Sequence, residues 1–211
     1  MSTKALVFDC DGVVADTERL WDVAGHEFLG RYGVAYDRDA LKPQLTGRSM
    51  RDGVALMRER YGLAPPLDEL IEERTGIIVD LLRSGAEYMD GFLPFFEQVR
   101  ASHRVAVATG LTDRLFAAVD ERLRIRDLFG AVVTSSMVAN AKPAPDVFLA
   151  AADLLGVEPG DALVLEDAPL GIEAAKNAGM RCVALTTTYG PPLLEGADQV
   201  VASFEEIDLR R

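Results

Sequence analysis

Two acidic residues directly follow the first apolar run of the sequence. The run Ala5–Phe8 reads ALVF and leads into DCDG, which places carboxylates at Asp9 and Asp11 and a glycine at Gly12. Two carboxylates at the end of a buried strand are costly unless a cation neutralises them. A calcium loop is disfavoured, because its glycine stands sixth and not fourth. The pair is therefore either an ordinary acidic turn or a group that binds a charged ligand.

A second apolar run, residues 162–165, ends in the adjacent acids Glu166 and Asp167. The carboxyl ends of parallel strands lie along one edge of a sheet, so both acidic pairs would lie close together. Carboxylate and carbonyl oxygens, completed by water, are the ligands that Mg²⁺ prefers. Asp9, the backbone carbonyl of Asp11 and Asp167 therefore predict a magnesium site. Glu166 is either a further ligand or a group that positions one.

Two further segments supply hydrogen-bond donors. Thr109 and Gly110 follow the apolar run 105–108 and offer a hydroxyl group and an unhindered backbone N–H. Lys142 precedes a predicted helix at residues 145–156, so its ammonium would lie near a helix N-terminus, where anions are stabilised. Each segment alone is typical of a turn or a solvated surface. Together they suit a phosphoryl group.

The elements that must position these groups alternate between strand and helix. The apolar runs are rich in Val and Leu without polar alternation, which is typical of parallel strands covered on both faces. The later runs alternate with helical segments, two of which have Pro near the start and Gly at the end. This order predicts an α/β fold with a doubly wound parallel sheet. The predicted strands are Ala5–Phe8, 105–108, Ala131–Val133, 162–165, 182–185 and 199–202, and the predicted helices are 94–102, 112–122, 145–156 and 169–179.

A long helical insertion separates the first strand from the rest of the sheet. An insertion at this point lies over the carboxyl ends of the strands, where such sheets bind ligands. We therefore expect residues 17–86 to form a helical cap over a core of residues 1–16 and 87–211, with hinges near 16–17 and 85–91. The predicted cap helices are 18–32, 49–61 and 67–84.

The four site segments, in this order, resemble the motifs of the haloacid dehalogenase-like (HAD) superfamily. They read DCDGV, VATG, AKP and LVLEDAPLGIEAAKNAG, and the resemblance covers essentially the whole chain. It implies a Rossmann-like core with a C1-type helical cap. Within the superfamily, the cap entry at residues 16–18 and the cap loop at residues 45–49 are similar to those of the β-phosphoglucomutase/sugar-phosphate phosphatase branch.

The resemblance implies roles for the acidic residues. Asp9 would be the nucleophile that forms an aspartyl-phosphate, and Asp11 would protonate the leaving alcohol and then deprotonate water. Asp9, Asp11 and Asp167, with Glu166, would hold Mg²⁺, which offsets charge between the nucleophile and the substrate dianion.

The resemblance also implies how the phosphoryl group is held. Thr109, the Gly110 N–H and Lys142 would bind its oxygens. Many relatives carry Asn at the position of Gly110, so a side-chain contact is absent here while the backbone donor remains.

The cap is expected to contact the leaving group. We expect Gly47 and Arg48 of the cap loop to bind substrate, with Arg48 reaching a distal anionic group. Glu18 or Trp21, at the cap entry, would line the leaving-group pocket.

Phosphatases and phosphomutases share this core. β-Phosphoglucomutases carry a basic residue in the cap loop and a His near the cap entry, and the aligned positions here are Met50 and Trp21. Arg48 or Arg51 could compensate. The departure favours an Mg²⁺-dependent phosphatase acting on a sugar or sugar-acid phosphate, and leaves a β-phosphoglucomutase-type phosphomutase as the alternative.

Four other functions fit the residues less well. Phosphoglycolate phosphatase stays a candidate because the substrate is not named by the motifs. A dehalogenase needs no Mg²⁺ and usually lacks the second acid, whereas Asp11 and Asp167 are both present. A phosphonate-cleaving enzyme needs a Schiff-base lysine, and the one cap lysine, Lys42, precedes Pro43 in an apparent loop. A non-catalytic phosphate-binding module is disfavoured by the intact motifs.

The charge balance restricts the partners. The chain carries 34 acidic residues against 22 Lys and Arg, a net charge of −12, which disfavours nucleic acid and anionic membrane surfaces. Most of this excess lies outside residues 17–86, which hold 12 acidic and 10 basic residues. The apolar runs are short for a membrane span, and Cys10 and Cys182 suit reduced core thiols. We expect a cytoplasmic monomer whose partner is a small phosphorylated metabolite.

Overall fold

A six-stranded parallel sheet lies at the centre of the fold. The computed structural model describes residues 3–45 and 49–209. The sheet order is β5-β4-β1-β6-β7-β8, with every neighbouring pair parallel. Together with a short two-stranded pair, the strands are β1 (Ala5–Phe8), β2 (Ala15–Asp16), β3 (Glu87–Tyr88), β4 (Arg104–Ala108), β5 (Ala131–Val133), β6 (Ala162–Glu166), β7 (Arg181–Leu185) and β8 (Gln199–Val201).

The helices cover both faces of this sheet, which confirms the predicted α/β class. Side chains alternate along β1, so Leu6 and Phe8 enter one core cluster while Ala5 and Val7 enter the other. The helices are α1 (Glu18–Gly30), α2 (Arg38–Leu45), α3 (Met50–Tyr61), α4 (Leu67–Gly85), α5 (Phe92–Arg100), α6 (Asp113–Leu123), α7 (Ile125–Leu128), α8 (Asp146–Leu155) and α9 (Pro169–Asn177).

The predicted strands of the main sheet agree with the structure to within one residue at each end. The predicted helices agree to within two residues, and the short helix α7 and the pair β2–β3 were not predicted. The helix expected at 94–102 begins two residues earlier. Pro94 therefore lies in its first turn, where the missing N–H costs no helical hydrogen bond.

The segment between β2 and β3 contains a helix that was not predicted from the sequence. Residues expected to form a loop around Lys42 instead form α2. The Asp37 side chain caps this helix by accepting a hydrogen bond from the N–H of Ala40 at 3.0 Å. Pro43, which removes one helical N–H donor, was the reason for expecting a loop. The prediction that Lys42 lies in a loop was therefore wrong.

The chain enters and leaves the helical insertion side by side. Ala15 and Asp16 of β2 pair with Tyr88 and Glu87 of β3 in an antiparallel register. The two expected hinge segments are thus joined to each other by backbone pairing. Helix α4, the last of the four helices between these strands, packs along α6 of the core.

An aromatic cluster supports the strand that carries Asp9. Phe8, the last residue of β1, lies 5.9 Å from Phe92 and 5.4 Å from Phe129 between ring centroids. Both contacts are edge-to-face, the arrangement that aromatic quadrupoles favour. Phe8 and Phe92 are fully buried. The position of the DCDG turn therefore depends on this packing.

Among the described residues, none of the helices combines the length and apolar character that a membrane crossing requires.

Truncating the centre of the aromatic cluster should destabilise the fold. Phe92→Ala is expected to lower the free energy of unfolding by about 3–5 kcal/mol, because it leaves a cavity beneath β1. Leu93→Ala is the matched control, since Leu93 is the next residue of the same helix and is 40% exposed. Its effect should stay within about 0.5 kcal/mol. Urea denaturation measures both, and equal losses in the two variants would contradict the structural role given to the cluster.

Candidate active site

Both predicted acidic pairs meet at the carboxyl edge of the sheet. Strands β1 and β6 are neighbours, and the backbone N–H of Asp9 donates to the carbonyl of Leu165 at 2.9 Å. Asp9, Glu166 and Asp167 are buried, with at most 6% of each residue exposed. Three buried acids in one place require cations.

Lys142 supplies one positive charge to this acidic cluster. Its Nζ donates to Asp9 Oδ1 at 2.5 Å and to Glu166 Oε1 at 2.7 Å. The same ammonium lies 4.6 Å from the ring centroid of Phe148, which shields it from solvent. The side chain of Lys142 is 13% exposed. The lysine expected to bind a phosphoryl group is therefore at the acidic centre.

Glu166 uses both of its carboxylate oxygens within the protein. Oε1 faces Lys142, while Oε2 accepts hydrogen bonds from the N–H groups of Asp167 at 2.8 Å and Ala168 at 2.9 Å. Gly171 lies so close that a Cβ atom there would be 1.7 Å from Oε1. Through these contacts the Glu166 carboxylate orients Lys142. That Glu166 also ligates a metal stays a prediction.

Burial, and then the mutual repulsion of the acidic groups, raises the pKa values at this site. Burial, with the charges of Glu166 and Asp11, raises the pKa of Asp9 to about 8, although Lys142 opposes this. Burial also raises the pKa of Asp167 well above its usual value, aided by Glu166 and Asp9. Burial alone would lower the pKa of Lys142, but the carboxylates of Asp9 and Glu166 raise it overall. The site thus favours a further cation.

The donor set fits Mg²⁺ when backbone and water oxygens are included. Among residues 3–45 and 49–209, no three acidic, His or Cys side chains are arranged as a metal-ligand cluster. Asp9 and Asp167 interact electrostatically, and a Cβ at Gly12 would lie 1.9 Å from Asp167 Oδ2. Gly12 therefore allows the two acidic loops to approach. Two carboxylates, a carbonyl and water make an oxygen set suited to Mg²⁺.

Asp11 faces the cap entry. Its carboxylate accepts hydrogen bonds from the Thr17 hydroxyl and from Trp21. Burial raises the pKa of Asp11 to about 6, with a further contribution from the charge of Glu18, while the two hydrogen bonds oppose the shift. A carboxyl group with this pKa can both give and accept a proton near neutral pH.

Thr109 and Gly110 lie at the end of the neighbouring strand β4. Thr109 is fully buried, and its hydroxyl accepts a hydrogen bond from the N–H of Leu111 at 3.1 Å. Gly110 is exposed, and a Cβ atom there would meet nothing within 4 Å. Lys142 Nζ lies 3.4 Å from the carbonyl of Ala108, the residue that precedes Thr109.

The predicted cap residues are only partly described. Gly47 and Arg48 lie outside the described residues. Glu18 and Trp21 are on the first turn of α1, beside Asp11, and Glu18 forms an ion pair with Lys42 of α2.

Sequence reasoning missed Arg74, a buried cation in the cap. Arg74 is 8% exposed, its guanidinium lies 6.0 Å from the Trp21 ring, and Nη1 contacts Met50 Sδ at 3.0 Å. Within the described part of the chain, its Nε has no hydrogen-bond partner. Burial lowers the pKa of Arg74 to about 10. The signal was its spacing with Leu70 and Ile77, which places it on the buried face of α4.

The sequence and the fold are similar to those of known proteins. The family model for haloacid dehalogenase-like hydrolases matches residues 6–185. The fructose-1-phosphate phosphatase YqaB of Escherichia coli K12 is 35% identical over 181 residues, which cover 84% of this chain and 94% of that protein. A phosphorylated carbohydrates phosphatase of Thermotoga maritima is 31% identical over 214 residues, covering 97% and 96%. The crystal structure of CbbY from Rhodobacter sphaeroides in complex with phosphate superposes with a TM-score of 0.82 at 30% identity, covering 97% and 96%.

Removing the buried charge of Arg74 should stabilise the protein. Arg74→Met is expected to raise the free energy of unfolding by about 1–3 kcal/mol, because a nearly isosteric apolar side chain replaces a guanidinium that is desolvated without full compensation. Arg60→Met is the control, since Arg60 is exposed on the neighbouring helix α3, and its effect should lie within about 0.5 kcal/mol. A lower stability of Arg74→Met in urea denaturation would show that Arg74 is a structural residue.

Proposed function

Because this chain belongs to the haloacid dehalogenase-like hydrolase family and is a phosphatase of that family, we propose that it hydrolyses a small sugar or sugar-acid phosphate through an aspartyl-phosphate, with Mg²⁺. The observation that carries the proposal is the Lys142 ammonium, bonded to both Asp9 and Glu166 at the carboxyl edge of the sheet. It holds a buried carboxylate in one orientation and leaves positive charge beside it.

In this proposal Asp9 is the nucleophile. One oxygen of its carboxylate is bonded to Lys142, and the backbone on either side is held by β1 and the DCDG turn. An Asp9 oxygen attacks phosphorus while the bond from phosphorus to the leaving oxygen breaks. Holding the nucleophile in one orientation removes much of the entropic cost of reaching the reactive geometry.

Asp11 acts as acid and then as base. It gives its proton to the leaving alkoxide in the first step and takes a proton from water in the second. Thr17 and Trp21 hold the carboxyl group towards the cap side, where the leaving group would lie. The pKa of about 6 supports both roles.

The phosphoryl oxygens are bound by three donors in this proposal. The Thr109 hydroxyl, the Gly110 N–H and the Lys142 ammonium would bind these oxygens, and support comes from Lys142, which bonds to Asp9 and lies 3.4 Å from the carbonyl of Ala108, the residue before Thr109. Donors placed before the reaction stabilise the charge that develops on these oxygens. Because Gly110 offers only its backbone N–H, we propose that Lys142 and Thr109 contribute more to the binding of the phosphoryl oxygens.

Asp9, Asp167 and the carbonyl of Asp11 would hold the metal. When bound, Mg²⁺ would supply positive charge that offsets the repulsion between Asp9 and a substrate dianion. We propose that Glu166 orients Lys142 and does not ligate the metal, since both its oxygens accept hydrogen bonds from protein donors.

Residues 17–86 act as a cap in this proposal, and residues 1–16 and 87–211 form the core. The substrates named for similar proteins, fructose 1-phosphate and phosphorylated carbohydrates, support a sugar phosphate as the substrate. We also propose that the protein is a cytoplasmic monomer. Its two cysteines, Cys10 and Cys182, are free and buried, as expected in a reducing compartment.

The acceptor of the phosphoryl group is proposed to be water. Trp21, at the position where the mutase branch carries His, bonds to Asp11 through an indole, which cannot act as a base. A β-phosphoglucomutase-type reaction remains the alternative, and it would transfer the phosphoryl group to a bound sugar phosphate.

Removing the nucleophile should abolish turnover. Asp9→Asn is expected to lower Mg²⁺-dependent phosphate release from p-nitrophenyl phosphate by at least about 10³-fold, because the amide cannot form the covalent intermediate. Asp153→Asn, on the exposed side of α8, should keep wild-type activity. Activity retained in Asp9→Asn or in excess EDTA would contradict the mechanism. Faster formation of glucose 6-phosphate than of free phosphate, from β-glucose 1-phosphate and its bisphosphate, would favour the mutase.

Displacing Glu166 should impair activity without changing the active residues. Gly171→Ala places a methyl group against the carboxylate that three hydrogen bonds hold, so Glu166 and Lys142 must shift. We expect kcat/KM to fall by about 10²-fold. Gly76→Ala is the control, because a Cβ there meets nothing within 4 Å on another helix, α4. Wild-type kcat/KM in Gly171→Ala would refute the positioning role.

A further inference from the structure

Helix α8 places an aromatic ring against the ammonium group of Lys142. The Nζ atom of Lys142 lies 4.6 Å from the ring centroid of Phe148, and Phe148 is fully buried. Helix α8 packs against β1 and β4, the strands that lead into Asp9 and Thr109. The ring is therefore held by the same part of the core that positions the reactive groups.

The apolar cluster around Phe148 fixes the place of its ring. Phe148 shares this cluster with Val7 of β1 and with Ala106 and Ala108 of β4, all of which are fully buried. Small alanine side chains on β4 leave room for a large ring on the facing helix. The contact between the ring and Lys142 is thus set by close packing on the side away from the ammonium.

The Lys142 ammonium has one N–H with only a weak acceptor. An ammonium group has three N–H donors. Lys142 donates to Asp9 Oδ1 at 2.5 Å and to Glu166 Oε1 at 2.7 Å, whereas its third contact, to the carbonyl of Ala108, is 3.4 Å long. This third distance exceeds the range of about 2.7–3.2 Å in which N–H···O bonds are strong. A phosphoryl oxygen could therefore replace the Ala108 carbonyl without disturbing either carboxylate.

An aromatic face is a neighbour that stabilises this cation without using its third N–H strongly. The ring quadrupole attracts the positive charge, and the ring carries no oxygen or nitrogen acceptor. Water or a polar side chain in the same place would accept the N–H, and a phosphoryl oxygen would then have to displace it. The side chain of Lys142 is only 13% exposed, so Phe148 occupies a position that solvent would otherwise reach.

We propose that Phe148 is a positioning residue of the active site, which shields the Lys142 ammonium from water and leaves its third N–H to the phosphoryl group. The inference rests on the proposed phosphatase function. It adds a residue that lies outside the four motif segments of the sequence. In this role Phe148 acts through Lys142 and touches neither substrate nor metal.

A second buried phenylalanine provides a matched control. Phe116 of α6 is also fully buried, and the guanidinium of Arg126 lies 5.0 Å from its ring centroid. Phe116 belongs to the apolar cluster on the opposite face of the sheet from Phe148. Phe116→Leu therefore removes the same atoms and the same kind of cation–ring contact as Phe148→Leu, without affecting Lys142.

The test measures the dissociation constant of inorganic phosphate by calorimetry in the presence of Mg²⁺, and kcat for p-nitrophenyl phosphate. Phe148→Leu and Phe148→Met both lack an aromatic face, and each should weaken phosphate binding and lower kcat by about tenfold. Phe148→Tyr keeps the ring face and should stay within about threefold of the wild type. Phe116→Leu should keep wild-type values, although urea denaturation should show a loss of stability similar to that of Phe148→Leu.

The outcomes separate this inference from the function on which it rests. Wild-type phosphate binding and kcat in Phe148→Leu and Phe148→Met would overturn the positioning role. Equal losses in Phe148→Leu and Phe116→Leu, or in Phe148→Leu and Phe148→Tyr, would overturn it too, because packing alone would then explain them. Absence of ester hydrolysis by the wild type would refute the phosphatase, and the phosphate affinities of the variants would still decide the role of Phe148.

Discussion

The hydrogen bonds from one buried ammonium to two buried carboxylates are the interaction on which the site depends. Without Lys142, Asp9 and Glu166 would face each other in a medium that solvates neither charge. Three features of the surrounding structure hold these charged groups in place. The sheet brings β1 beside β6, the N–H groups after β6 hold Glu166, and Gly171 leaves room for its carboxylate. The raised pKa values of Asp9 and Asp167 show that this single ammonium does not fully offset the burial and mutual repulsion of the carboxylates.

The helical segment between β2 and β3 differs from the acidic centre. Its buried cation, Arg74, lies against Trp21, and its Nε has no hydrogen-bond partner among the described residues. Exposed ion pairs between α4 and α6, Arg83 with Glu121 and Arg114 with Glu72, connect the cap to the core far from the acidic residues. Such pairs contribute little stability in water. The packing of α4 against α6 therefore rests on the apolar cluster that the two helices share.

The parts of the structure that were predictable are those in which a single local signal decides the outcome. Apolar runs ending in acids located the main strands and the residues Asp9, Asp11 and Asp167, because burial on both sheet faces leaves a clear pattern. Helix α2 was missed because a local signal, Pro43, was outweighed by the Asp37 cap and by contacts with α1. The double role of Glu166 could not be foreseen, since its partners come from distant segments. The spacing of Arg74 with Leu70 and Ile77 indicated that it is buried, but only the packed structure shows that its Nε has no hydrogen-bond partner among the described residues.

The short pairing between β2 and β3 has a consequence for how this fold can diversify. Because the polypeptide leaves the core and returns to it at adjacent, hydrogen-bonded residues, the ends of the intervening segment are held at a set separation whatever lies between them. The length of the insertion can therefore change, over evolution or in the laboratory, without altering the register of the main sheet. A replacement would still have to keep Thr17 and Trp21, which bond to Asp11, and the face of α4 that packs on α6.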